Sequence, residues 1–252
     1  MTTSDDPLRV AVITPYYQEP VDVLRRCHES VLEQTHPCTH FLVSDGSPHA
    51  EVAGWQGEHI QLGRPHGDNG NTPRAVGSLS AMNRDFDAIA YLDADNWYWP
   101  QHIAAMVALY RQTGVAICTA SRTIHRADGS LMYVDYECNG ESHVDTSCLF
   151  FLRPAFRIMP YWATMPRQFG PICDRAMWQI ILAHKLSSAH YAQPTVAFRT
   201  QYEFHFQRIG ETPPPGAKSN AESTGSAWDW WDSLAPEVRA QWKDYFSGEG
   251  PC

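Results

Sequence analysis

Asp93, Ala94 and Asp95 close the apolar run Ala88-Ile89-Ala90-Tyr91-Leu92 and are followed by Asn96. Open α/β sheets place their ligands at the carboxyl ends of their strands. Hard divalent cations such as Mg²⁺ or Mn²⁺ bind through one or two protein carboxylates, and substrate phosphates complete the shell. A buried strand ending in two aspartates therefore points to a cation held against a diphosphate. The same spacing occurs earlier as Asp85-Phe86-Asp87. That pair precedes the apolar run, so it belongs to the amino end of the strand and reads as solvated loop charge. A tripeptide this short recurs by chance, and Asp95 or Asn96 could instead cap a helix beginning near Pro100. The surrounding elements must decide.

Arg9 to Thr14 reads as a buried strand stopped by Pro15, and Val21 to Gln34 as a helix. Phe41-Leu42-Val43 is a second short strand, closing in the turn-rich Ser44-Asp45-Gly46-Ser47. A weaker strand near His59 to Leu62 precedes a Gly/Asn-rich loop, and a helix is expected over Pro73 to Arg84 before the strand that ends at Asp93. Such alternation implies right-handed β-α-β units and a mostly parallel sheet. Beyond Pro100 a helix to Gln112 and a strand over Val115 to Ala120 continue it. Leu131 to Tyr136 and Ser147 to Leu152 then suggest strands of a smaller antiparallel region, and Asp174 to His184 a helix. Glu211 to Gly225 contains Pro213-Pro214-Pro215-Gly216 and has the composition of a loop or lid. Trp228 to Phe246 is expected to fold back as an aromatic helix.

The chain has 252 residues, 43% of them hydrophobic and 19% charged, which suits a globular α/β domain. A formal charge of −9 argues against the basic surface that nucleic-acid binding needs. Seven cysteines show no Cys-x-x-Cys spacing, so reduced thiols in a cytoplasmic protein are expected. Met1 to Pro7 is polar and acidic, unlike a signal or transit peptide. No apolar stretch approaches the roughly 20 residues of a membrane helix, so any membrane association is expected to be peripheral. His36 and His40 flank Cys38, but Pro37 breaks a helical face and no second pair follows, which argues against zinc.

With these pieces in order, the chain resembles the family 2 glycosyltransferases, GT-A-fold enzymes that use nucleotide diphospho-sugars. The resemblance rests on Val12-Ile13-Thr14-Pro15-Tyr16-Tyr17 with Gln18-Glu19, on Val43-Ser44-Asp45-Gly46-Ser47, on Asn69-Gly70-Asn71-Thr72-Pro73-Arg74, and on Leu92-Asp93-Ala94-Asp95-Asn96. It covers roughly the first 100 residues in family order. It implies an α/β fold of GT-A type, with a mostly parallel nucleotide-binding sheet flanked by helices and a smaller antiparallel acceptor-side region. Residues 1–100 would form the nucleotide-sugar half, 101–210 the acceptor half of the same domain, and 211–252 a flexible lid and aromatic tail.

By the same resemblance, Thr14, Pro15, Tyr16, Glu19, Asp45, Asn69, Arg74, Asp93 and Ala94 would bind the donor nucleotide. Asp45 would accept a hydrogen bond from uracil or its ribose. Asp95 would ligate Mn²⁺ or Mg²⁺, with His205 as the histidine completing the shell. The general base of an inverting transfer would be an aspartate at a helix start, which points to Asp174 in Phe169-Gly170-Pro171-Ile172-Cys173-Asp174-Arg175. Cys173 stands where an acidic residue usually precedes that aspartate, so Asp174 could equally be a helix N-cap, with Asp145 and Glu141 in reserve. Arg175 could meet the diphosphate, and Trp162 or Trp178 could form a platform for a sugar ring, although Trp178 sits among Ile180, Ile181 and Leu182 like a core residue. The implied partners are a UDP-sugar or similar donor and a glycan, lipid-linked or small-molecule acceptor. Two readings compete. A sugar-nucleotidyltransferase would need a Gly-rich basic loop where Pro15-Tyr16-Tyr17-Gln18-Glu19 stands, and a non-catalytic sugar-nucleotide-binding protein would not need the carboxylate pair.

Overall fold

The computed structural model describes residues 7–219 and 224–248. The polar stretch 1–6, the middle of the expected lid (220–223) and residues 249–252 with Cys252 lie outside it. Strand β1 (Val10–Tyr16) is buried at every position. Helix α1 (Val21–Leu32) turns Leu24, Cys27, His28 and Val31 inward, the spacing of one helical face. Strands β2 (Cys38–Ser44) and β3 (Glu58–Gln61), helix α2 (Asn71–Asn83) and strand β4 (Ala88–Tyr91) follow. Then come β5 (Trp97–Tyr98), α3 (His102–Thr113), β6 (Ile117–His125), β7 (Leu131–Asp135) and β8 (Leu149–Leu152). The chain continues through α4 (Tyr161–Thr164), α5 (Cys173–Ala183), β9 (Ser188–Arg199), α6 (Glu203–Arg208), α7 (Ser226–Ser233) and α8 (Pro236–Ser247).

The strands form one sheet in the order β3-β2-β1-β4-β8-β6-β9-β5, with β7 beside β6. The first four are parallel, so the loops after them all open on the same edge. This is the expected mixed α/β sheet flanked by helices. Its second half departs from expectation: β8 is antiparallel to both β4 and β6, yet β6 and β9 run parallel. Strand β9 was not anticipated, because Pro194 interrupts it. Pro194 lies opposite Ser121, where the β6–β9 register shifts, and a strand irregularity is where a proline without an N–H is tolerated.

Asp85 and Asp87 lie at the amino end of β4 as expected, but Asp87 is not simply solvated. Its carboxylate accepts from the Arg9 backbone N–H at 2.9 Å and from Arg153 Nε at 3.0 Å. Trp162 and Trp178 are both core residues, donating from Nε1 to Tyr91 Oη (2.9 Å) and to the Glu141 carbonyl (2.8 Å). Neither offers a platform. The aromatic tail is two helices rather than one, because Pro236 begins α8 and Ala235 before it is extended. Trp230 and Trp231 reach back to Phe169, at ring distances of 5.3 and 5.6 Å. The six described cysteines are free.

Candidate active site

Two clefts open along the carboxyl edge of the sheet. The first, about 520 Å³, is lined by Pro15, Tyr16, Tyr17 and Glu19 after β1, Asp45 after β2, Pro65 to Arg74 in part after β3, and Asp93 to Asp95 after β4. Every residue expected at the nucleotide lines it except Thr14. Thr14 is wholly buried behind β1, with Oγ1 at 2.8 Å from His40 Nε2. Inward-facing side chains of a strand covered on both faces belong to the core, and Thr14 is one of them.

Asp45 is already engaged. Its carboxylate accepts from the His66 backbone N–H at 3.0 Å and meets His66 Nδ1 at 2.6 Å. Gly46 makes this possible: it has φ 78°, and a Cβ there would stand 2.3 Å from the Arg64–Pro65 backbone. Only a glycine lets the β2 turn and the β3 loop approach so closely. His66 was missed at the sequence level; its one signal is a place in the loop-forming run Pro65-His66-Gly67-Asp68-Asn69-Gly70.

Arg74 is buried on the first turns of α2 and donates to Asp93 Oδ1 at 2.5 Å and to the Asn69 carbonyl at 2.8 Å. The guanidinium also lies 5.4 Å from the Trp162 ring centroid. Burial alone would lower its pKa, but Asp93 outweighs that and holds it above the ordinary value. Asp95 is half-buried and accepts from Gln201 Nε2 at 2.9 Å. Burial, then Asp93, and less strongly Glu19, push its carboxyl up to about 7. Five carboxylates (Glu19, Asp45, Asp68, Asp93, Asp95) line this cleft against the two cations Arg74 and Lys218.

The second cleft, about 660 Å³, is assembled from β7, the segment before β8, the start of α5 and the β9–α6 junction. Asn69, Arg74 and Asp93 line both clefts and form the seam between them. Gly170 packs on that seam: a Cβ there would stand 2.5 Å from Asn69 Oδ1. Asp174 lines the second cleft, in the first turn of α5. The N-cap position is Ile172, so Asp174 is not the cap. Its Oδ2 is 3.6 Å from His143 Nε2 and its side chain is about one-fifth exposed. The two reserve carboxylates fare differently. Asp145 is tied to Arg122 (2.5 Å) and to the Ser147 N–H (2.9 Å), and Glu141 does not line the cleft.

Arg122 also donates to Asp135 at 2.8 Å, so a buried Asp135–Arg122–Asp145 triad underlies the second cleft. Burial works against the guanidinium charge, but Asp145 and Asp135 keep its pKa above the ordinary value. His205 stands on this side, not beside Asp95. It is buried, with Nδ1 at 2.6 Å from Thr200 Oγ1, and burial pushes it down to about 3. Among the described residues no three His, Cys, Asp or Glu side chains converge closely enough to hold a metal, and His205 lines the second cleft while Asp95 lines the first.

The profile described as Glycosyl transferase family 2 matches residues 11–158. The chain belongs to glycosyl transferase family 2. The match takes in Asp45, Arg74, Asp93 and Asp95 and stops short of Asp174 and the β9–α6 wall. Succinoglycan biosynthesis protein ExoW of Rhizobium meliloti (strain 1021) is 29% identical over 190 residues, covering 62% of this chain. The chain spans 59% of ExoW. The crystal structure of S. aureus TarS 1–349 in complex with UDP aligns with a TM-score of 0.60 and 11% identity, over 93% of this chain and 78% of that one. The UDP-GlcNAc complex aligns with a TM-score of 0.56 and 10% identity, over 77% and 59%. These likenesses show the fold, of GT-A type. The residues missed at the sequence level, His66, Arg122, Asp135, His143, Gln201 and Lys218, lie outside the four segments that carry the family resemblance.

Proposed function

We propose that the protein is an inverting, metal-dependent glycosyltransferase that moves a sugar from a UDP-sugar to an acceptor hydroxyl. The observation that carries this reading is the seam: a nucleotide-type cleft and a second cleft meet at Asn69, Arg74 and Asp93. A donor in the first cleft would present its anomeric carbon there, and an acceptor in the second would attack from the side opposite the diphosphate. Inversion follows from that arrangement. The choice of UDP is supported by the UDP and UDP-GlcNAc complexes of TarS.

Asp174 is the base in this reading, since Asp145 is committed to Arg122 and Glu141 points elsewhere. Its carboxylate takes the acceptor O–H proton as that oxygen bonds to the anomeric carbon. The bond from that carbon to the diphosphate oxygen breaks, and its electron pair leaves with UDP. Arg74 holds Asp93 in place and lends positive charge at the seam. The donor set suits Mg²⁺ or Mn²⁺: two carboxylates from one turn, the Gln201 amide beside Asp95, and a carboxylate-rich lining that would repel a diphosphate unless a cation intervened. When bound at Asp95 and Asp93, such a cation neutralises the charge developing on the leaving diphosphate.

We read residues 1–100 as the nucleotide half, 101–210 as the acceptor half and 211–252 as a lid with its anchoring tail. The reaction would take place in the cytoplasm, free or at a membrane surface. Among the described residues no helix is long and apolar enough to cross a membrane. The test is UDP release from a panel of UDP-sugars with and without Mn²⁺. Metal-dependent UDP release with the sugar retained on an acceptor is expected. Release of pyrophosphate from UTP and a sugar phosphate would instead mark a nucleotidyltransferase, and UDP-sugar binding without turnover a binding protein.

A further inference from the structure

The second cleft has a wall that the transfer chemistry leaves unused. Phe198 near the end of β9, with Tyr202 and Phe204 at the entry to α6, all line it and all are half-buried. The Phe198 and Tyr202 rings lie 20° from parallel with centroids 6.4 Å apart, and Phe204 follows Tyr202 at 6.0 Å. Arg122 backs Phe198 at 4.4 Å from its ring centroid, so the buried Asp135–Arg122–Asp145 triad also fixes the wall. The lining also carries five carboxylates against three guanidinium groups. Arg74 and Arg122 are paired with Asp93, Asp135 and Asp145, and Glu137 with Arg208, so Asp174 is the lining carboxylate that no arginine holds.

We propose that this cleft takes a neutral hexopyranose unit as the acceptor, its ring face against Phe204 and Tyr202 and a hydroxyl toward Asp174. The proposal rests on the glycosyl-transfer reading above. A pyranose has a face of C–H groups, which suits the electron-rich face of an aromatic ring, and an edge of hydroxyl donors, which suits carboxylate acceptors. An alkyl chain would desolvate Asp174 without offering its carboxylate a hydroxyl donor. A uronate or phosphate acceptor would add negative charge where carboxylates already outnumber cations.

The test uses the full chain with Mn²⁺ and, in separate reactions, UDP-glucose, UDP-galactose or UDP-N-acetylglucosamine. UDP release is followed as octyl β-glucoside, octyl β-galactoside or the matching octyl uronides are added. A neutral glycoside is expected to accelerate UDP release and become glycosylated, with its uronide at least about tenfold poorer in kcat/KM. Phe204→Leu, which keeps apolar bulk but removes the ring, should raise the acceptor KM by roughly three- to tenfold, and Phe204→Tyr should restore it. UDP affinity should not change in either variant, because Phe204 does not line the first cleft. Equal use of the uronide, or an unchanged acceptor KM in Phe204→Leu with UDP affinity retained, overturns the proposal. Donor hydrolysis that no glycoside accelerates also overturns it and leaves the transfer reading standing. Absence of both UDP binding and UDP release removes both.

Discussion

The first cleft draws on the loops that follow β1, β2, β3 and β4, four parallel neighbours in the sheet. The second draws on residues 135–146, 170–175 and 198–205, which approach one another only through an antiparallel strand, a helix start and a strand–helix junction. In the first, parallel topology brings together all the lining side chains but Gln201 and Lys218, because the loops on that edge converge on the same crevice. In the second, convergence depends on tertiary ties, chiefly Arg122 clamped between Asp135 and Asp145. A site of the first kind tolerates change in its scaffold as long as the strands pair; a site of the second kind is only as good as its buried ties.

The largest expected effect falls on the first cleft. Asp95→Ala removes a carboxylate from the metal-binding turn and should lower transfer on the order of 10³-fold or more, given the several kcal/mol a bound cation supplies. Asp87→Ala, at the opposite end of the same strand, should leave kcat near normal while loosening the ties to Arg9 and Arg153. Steady-state kinetics on the two variants check this. Equal losses with folding intact would mean that position along the strand does not separate ligand from loop charge. The second cleft should answer next. Asp174→Asn preserves shape and should lower kcat by on the order of 10² to 10⁴ fold, with UDP affinity retained. Near-normal transfer would remove Asp174 from the base role.

This contrast also explains what was legible in the sequence. Asp45, Asp93 and Asp95 could be placed because each ends an apolar run, and a strand's direction tells which edge its end occupies. Thr14 misled because it belongs to the same motif, yet it stands short of the strand's carboxyl end, where its side chain is buried against His40. His205 misled for a different reason. It follows β9, a strand hidden by Pro194, and nothing local reveals that the β9–α6 junction delivers it to Thr200 rather than to Asp95. Arg122 lies just past the strand expected over Val115 to Ala120, and its partners lie 13 and 23 residues away. No periodicity encodes such a tie.

A sharper separation of the two clefts comes from the triad. Arg122→Ala leaves two buried carboxylates without their cation and should cost about 3–5 kcal/mol of stability, measured by urea unfolding. Below the transition, acceptor use should suffer while UDP affinity changes little, since Arg122 does not line the first cleft. A proportional loss of UDP affinity would show that the clefts are one cooperative unit. At the seam, Gly170→Ala forces a Cβ onto Asn69 and should cost about 1–3 kcal/mol as overpacking, with both substrates bound more weakly.

The smallest effect expected is a pH dependence that both halves share. In the first half, His28 and His40 stack at 5.1 Å with their Nδ1 atoms 2.9 Å apart. Burial lowers both, and His28 lowers His40 further. In the second half, burial and then Arg122 push His205 down to about 3. A histidine held neutral in the fold binds fewer protons than in the unfolded chain below the ordinary value of about 6.5. Stability is therefore full above that pH and falls as the pH drops through it, until the folded-state value is reached. At pH 6 the loss should be less than about 1 kcal/mol for each such histidine. Hydrogen exchange at pH 7 and pH 5.5 would locate it. Once rates are corrected for the slower intrinsic exchange at lower pH, weaker protection in both β2 and α6 on acidification is expected. Acceleration confined to α6 would assign acid sensitivity to the second cleft alone, and stability that rises on acidification would mean that these histidines are not buried as neutral rings.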